Sequence, residues 1–88
     1  MKYTIRTTSR FDREFKELDR YTKLMIKGWI DKHLTDCDNP RIFGKGLTAD
    51  QKGQWRYRIG DYRLICNIED NELIILALSI GHRREVYK

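Results

Sequence analysis

The 88-residue sequence has one proline, two cysteines, two histidines and no long apolar run. No stretch approaches the roughly 20 residues that a transmembrane helix needs. The N-terminus, Met1-Lys2-Tyr3-Thr4-Ile5-Arg6, lacks the apolar segment of roughly 7–15 residues that marks a secretion signal. A cytoplasmic protein with no membrane partner is expected. Cys37 and Cys66 stand far apart and in no metal-ligand spacing, so a disulfide framework is excluded and both read as core thiols kept reduced in that compartment. His33 and Cys37 are four apart on an expected helix, yet Cys66 and His82 offer no paired spacing for the other half of a zinc site. Internal repeats, low-complexity segments and linkers are absent. A chain of this size has room for one core, so a single domain over residues 1–88 is expected, with any site on the outside of a thin body.

What is present is charge. Eighteen Lys and Arg against thirteen Asp and Glu give +5, a balance that favours an anionic partner. Nine of the basic residues precede Arg41 and nine follow Pro40, so the excess is no basic tail and its meaning depends on where the side chains point.

Lys2 to Thr7 alternates, with Tyr3 and Ile5 on one face, and predicts a half-buried strand. Ser9 is the expected N-cap of a short helix whose stripe is Phe11, Phe15 and Leu18. A second helix is expected from about Tyr21 to Asp36, with Ile26, Ile30, His33, Leu34 and Cys37 on one face, ended by Asn39-Pro40. The outer face of this hairpin carries Arg13, Lys16, Arg20, Lys23, Lys27 and Lys32, which reads either as a solvated face or as a phosphate-contacting flank. Residues Arg41 to Gln54 read as a loop anchored by Leu47. Its Gly44-Lys45-Gly46 piece lacks the glycine spacing and the following Ser or Thr of a P-loop. Trp55 to Ile59, Tyr62 to Ile68 and Leu73 to Ile80 predict three antiparallel strands joined by two-residue turns at Gly60-Asp61 and Asp70-Asn71. The expected fold is α+β: a small antiparallel sheet in the order β-α-α-β-β-β, with a helical hairpin on one face.

The Gly60-Asp61 turn sets Arg58 opposite Arg63 and Arg56 on the same face, whereas Trp55, Tyr57, Ile59, Tyr62, Leu64 and Cys66 face the helices. Like charges opposite one another destabilise a sheet. Either distant carboxylates such as Glu69 and Glu85 neutralise the three guanidiniums, or a bound polyanion does, since Arg binds phosphate with two prongs. After the expected end of the last strand, Gly81-His82-Arg83-Arg84-Glu85-Val86-Tyr87-Lys88 adds proton-transfer and phosphate-binding groups in one stretch.

Phe15-Lys16-Glu17-Leu18, the Asn39-Pro40 break, Trp55-Arg56-Tyr57-Arg58-Ile59-Gly60-Asp61-Tyr62-Arg63-Leu64 and the ending Ile80-Gly81-His82-Arg83-Arg84-Glu85-Val86-Tyr87 closely resemble the RelE/ParE toxin superfamily of toxin–antitoxin pairs, over essentially the whole chain. The ending resembles the RelE branch in particular. That resemblance implies a metal-independent, cofactor-free endoribonuclease that cleaves mRNA in the ribosomal A site by attack of the ribose 2′-hydroxyl on the adjacent phosphate, and it implies a RelB-like antitoxin. It maps catalytic roles onto Arg56, Arg58, Arg63, Arg83 and Tyr87, with His82 as an alternate acid or base. Contacts to RNA or ribosome fall to Lys16, Arg20, Lys23, Lys27, Lys45 and Arg84. The best-known relatives carry lysines at the positions of Arg56 and Arg58. Arginine keeps its proton, so these two can stabilise charge and cannot serve as bases. Tyr87 stands one residue before the last and is expected to be ordered by RNA or ribosome. A ParE-like gyrase inhibitor without ribonuclease activity is the competing reading, and a plain RNA-binding protein is a third.

Overall fold

The computed structural model describes residues 1–47 and 54–82. β1 (Thr4–Thr7) is followed by α1 (Ser9–Lys16), α2 (Arg20–His33), β2 (Lys45–Gly46), β3 (Gln54–Ile59), β4 (Tyr62–Glu69) and β5 (Ile74–His82). The strands form one five-stranded sheet in the order β1-β5-β4-β3-β2, antiparallel except where β1 joins β5 in parallel. Tyr57, Leu64, Cys66 and Ile75 on the sheet and Ile26 and Leu34 from the second helical segment are the fully buried centre of the core. Burying each such side chain is worth about 1.5–3 kcal/mol. The α+β class and the helical hairpin on one sheet face are as expected. The sheet has one more strand than the sequence pattern indicates, and one of its pairings is parallel.

Each difference in detail has a tertiary cause. The N-cap of α1 is Thr8 in place of Ser9: its hydroxyl accepts the Phe11 N–H (3.2 Å) while reaching the Ala77 carbonyl on β5 (3.0 Å), so the strand selects the capping residue. Asp19 caps α2 through the Thr22 N–H (3.2 Å). That helix stops at His33, well before Asn39-Pro40, because the next residues pair with the N-terminal segment. The Asp36 N–H donates to the Tyr3 carbonyl (3.2 Å), the Tyr3 N–H donates to the Cys37 carbonyl (2.9 Å), and Asp36 takes a left-handed φ of 60°. Part of the expected loop is strand β2, held against β3 by the pairs Lys45–Arg56 and Gly46–Trp55. Residues Asp70–Glu72 form a 3₁₀ turn with Leu73 at φ 55°, replacing the expected two-residue turn at Asp70-Asn71.

The last strand also runs two residues past Ile80. Gly81 and His82 therefore lie in the sheet, opposite Arg63 and Tyr62, where the sequence pattern leaves them in the tail. No helix among the described residues is long and apolar enough to cross a membrane.

Candidate nucleic-acid interface

The register across the Gly60-Asp61 turn is the expected one, Ile59 with Tyr62, Arg58 with Arg63, Tyr57 with Leu64 and Arg56 with Ile65. Directly opposite residues share a face of a sheet. Two rows therefore cross the face away from the helices. One runs Lys45, Arg56, Ile65, Ser79 over β2, β3, β4 and β5, and the next runs Arg58, Arg63, Gly81 over β3, β4 and β5. The short β2 strand thereby adds Lys45 to the arginine face, a neighbour that only the sheet pairing reveals.

The three arginines differ in surroundings. Arg58 is exposed and Arg56 half-buried, whereas Arg63 is only 6% exposed. Gly81 across the strand contributes no side chain beside it. The Nε of Arg63 is buried without a hydrogen-bond partner, and among the described residues its guanidinium makes a long donation from Nη1 to the Tyr62 carbonyl at 3.5 Å. Among the described residues neither Arg58 nor Arg63 forms an ion pair, and Glu69 is no partner to them. A buried guanidinium left without a counter-charge is costly by several kcal/mol. The arrangement is a buried cation on the sheet face turned away from the helices, with Arg56, Arg58 and Lys45 on the same face.

The family model described as the ParE toxin of the type II toxin–antitoxin system parDE matches residues 5–87. The chain belongs to the RelE/ParE toxin superfamily. Its relatives fall on the RelE side. This RelE/ParE toxin is 27% identical to Toxin RelG of Mycobacterium tuberculosis over 89 aligned positions, covering 100% of this chain and 99% of RelG. A chain from the crystal structure of the toxin–antitoxin complex RelBE2 of Mycobacterium tuberculosis is 26% identical, with a TM-score of 0.81 over 97% of this chain and 95% of that one. The isolated RelE toxin of E. coli shares the fold at 22% identity, with a TM-score of 0.75 over 97% and 90% of the two chains.

His82 does not join the arginine face of the toxin. It pairs with Tyr62, whose face is that of the helices, and the two rings meet edge to face at 5.6 Å. His82 instead lines a cleft between α1 and the end of β5, with Arg10, Glu14, Glu17 and Leu18. Lys16, Arg20, Lys23 and Lys27 sit on the helical side, so they form a second basic surface apart from the arginine rows. Lys27 stands 3.9 Å from Asp31, an exposed pair of little energetic weight. Arg83, Arg84, Glu85 and Tyr87 lie outside the described residues.

Several contacts elsewhere in the fold are illegible in the sequence. Arg41 grips Asp70 with two prongs (2.9 and 3.0 Å), and the Tyr3 hydroxyl donates to the same carboxylate (2.6 Å). Those hydrogen bonds, Arg41 first and Tyr3 second, hold Asp70 below the usual carboxylate range. The Tyr57 hydroxyl donates to the Pro40 carbonyl, anchoring the chain that leads into β2. Burial pushes the Cys66 thiol well above the ordinary range, as befits a core thiol. His33 is occupied by the Trp29 carbonyl (3.0 Å) and by the Phe43 ring, and among the described residues no cluster of metal-ligating side chains is present.

Proposed function

We propose that this toxin is a cytoplasmic, ribosome-dependent endoribonuclease that cleaves mRNA in the A site and is held inactive by a RelB-like antitoxin. The observation that carries the reading is Arg63: a permanently charged guanidinium, buried in the sheet, with Nε unpartnered and no ion pair to a carboxylate among the described residues. Such a group is stabilised by the arrival of an anion with several oxygens, and a phosphodiester supplies them. In this reaction the RNA 2′-hydroxyl attacks the adjacent phosphate. Arg63, assisted by Arg56 and Arg58, stabilises the charge that develops on the pentacoordinate phosphorus. None of the three can take the proton of the 2′-hydroxyl, because arginine stays charged. Attack forms the P–O2′ bond and breaks the P–O5′ bond, leaving a 2′,3′-cyclic phosphate. The 2′-hydroxyl proton is assigned to Tyr87, and Arg83 is assigned to the charge on the leaving 5′-oxygen, which takes its proton from water. The placement of His82 on the helical side weighs against it as the alternate base.

A second reading rests on the match to the ParE family model, which favours a gyrase-directed toxin with the same sheet. Primer extension on mRNA from cells briefly expressing the protein separates the two. The ribonuclease reading expects cuts within codons that disappear when ribosomes are absent, with negligible cleavage of naked RNA. Trapped gyrase–DNA breaks and an SOS response without mRNA cuts would transfer the assignment to gyrase. Equal cleavage of naked and ribosome-bound RNA would refute ribosome dependence.

A further inference from the structure

β1 ends at Thr7, opposite Ala77, while β5 continues to His82. From Leu78 onward β5 therefore has no strand among the described residues on the side that β1 occupies earlier. The ladder on its other side is interrupted there as well, by an irregularity between Ile65 and Cys66. A strand end with one weakened ladder and one open edge drifts unless its polar groups find other partners. Side chains from the N-cap and the second half of α1 take over. The Thr8 hydroxyl reaches the Ala77 and Leu78 carbonyls (3.0 and 3.2 Å), and Glu14 Oε1 accepts the Ile80 N–H (3.1 Å). The second oxygen of Glu14 is engaged by Arg10 Nε (3.3 Å), which fixes the carboxylate in turn. A carboxylate accepting a backbone N–H is among the stronger hydrogen bonds available to a strand edge.

We infer that Glu14 is a positioning residue for the phosphate site: through the Ile80 N–H it holds the end of β5 so that Gly81 stays opposite Arg63. Glu14 lies on the helical side, away from the sheet face that carries Arg56, Arg58 and Arg63. Its effect passes through the strand. If the end of β5 moves, the strand paired with Arg63 moves with it, and a displacement of about 1 Å at a reacting centre can cost up to about a hundred-fold in rate. The inference rests on the ribonuclease reading for its consequence in catalysis, and on geometry alone for its consequence in the strand.

Two measurements on the full-length protein separate those parts. The first is amide hydrogen exchange of the free toxin, wild type against Glu14→Ala and Glu14→Gln. In Glu14→Ala, exchange at Ile80, Gly81 and His82 should accelerate by about ten-fold or more while β3 and the Tyr62–Ile65 part of β4 keep their protection. Glu14→Gln retains an acceptor oxygen and should restore much of it. The second is single-turnover cleavage on programmed ribosomes, with ribosome affinity measured separately. Glu14→Ala should cleave more slowly by about ten-fold or more at unchanged affinity, and Glu14→Gln should recover most of that loss. Unchanged exchange at residues 80–82, or faster exchange throughout β3 and β4, would overturn the positioning role. A loss that lies wholly in ribosome affinity would overturn it too. If the wild type cleaves nothing, the ribonuclease reading fails, and the exchange experiment still decides whether Glu14 holds the strand.

Discussion

Replacing Arg63 by Ala should separate what this residue does for folding from what it does for function. Removing one preorganised charge aimed at a phosphorane typically costs about 10²–10³ in rate, so toxicity and single-turnover cleavage should nearly vanish. The same change removes a buried, unpartnered charge, so the urea midpoint of the free protein should hold or rise. A fall in the midpoint would show that the guanidinium is structurally satisfied and would weaken the phosphate reading. Arg63→Lys should recover only part of the activity, because a point charge cannot reproduce the two-pronged contact.

A second residue-scale expectation concerns acid. The Asp70 carboxyl is held below its ordinary value of 3.8 by Arg41 and Tyr3. A depressed carboxylate contributes stability that is present above the unfolded value and lost as pH falls through the folded one. Asp70→Asn should therefore flatten the acid limb of the stability curve below about pH 4. Asp70 is half exposed, so the effect should be no more than about 1 kcal/mol. Denaturant midpoints between about pH 6 and pH 2 check it, and an unchanged slope would show the clasp to be energetically idle.

At the scale of elements, the weakest link is the two-residue β2, which brings Lys45 beside Arg56. Its position depends on Gly44. At φ 81° a side chain is already disfavoured, and an added Cβ would stand 2.2 Å from the Arg56 carbonyl and 2.8 Å from the Trp55 ring nitrogen. That nitrogen donates to the Phe43 carbonyl (2.6 Å), so the chain cannot retreat without breaking the contact. Gly44→Ala should release β2 from β3 and destabilise the protein by about 1–3 kcal/mol. Faster amide exchange at residues 45–46 and 55–56, with β4 and β5 unaffected, is the expected local signature. Protection unchanged at those amides would show that the edge strand tolerates the side chain by moving as a unit.

Over the whole molecule, the described residues include two separate basic groups: the sheet face with Lys45, Arg56, Arg58 and Arg63, and the helical side with Lys16, Arg20, Lys23 and Lys27. Phosphate contacts made away from the reacting bond contribute affinity and salt dependence, whereas those at the bond contribute rate. Combined replacement of Lys16, Arg20 and Lys23 by Gln should weaken ribosome binding and shallow its dependence on salt, while the cleavage rate at saturating ribosome stays near wild type. If affinity and salt dependence do not move, the helical surface is merely solvated. The anionic partner then belongs to the sheet alone.

Much of this architecture is local and hence present in the sequence. The Gly60-Asp61 turn sets the β3–β4 register, and period-two alternation then sorts Arg56, Arg58 and Arg63 from Trp55, Tyr57 and Ile59 without any long-range information. The stripe Phe11, Phe15 and Leu18 likewise defines a buried helix face by its own spacing. Other features depend on partners distant along the chain, and only the folded structure decides them. Tyr3 ends α2 by taking the backbone groups of Asp36 and Cys37, and Thr8 becomes a cap because β5 holds its hydroxyl. β5 extends through Gly81 and His82 because β4 continues to pair with it, and this sends the His82 ring to the helical side, away from the face that carries Arg56, Arg58 and Arg63. The burial of Arg63 is of the same kind. Alternation assigns its face, but the sheet and its surroundings determine that this guanidinium, unlike exposed Arg58 directly opposite, is removed from water with an unpartnered nitrogen.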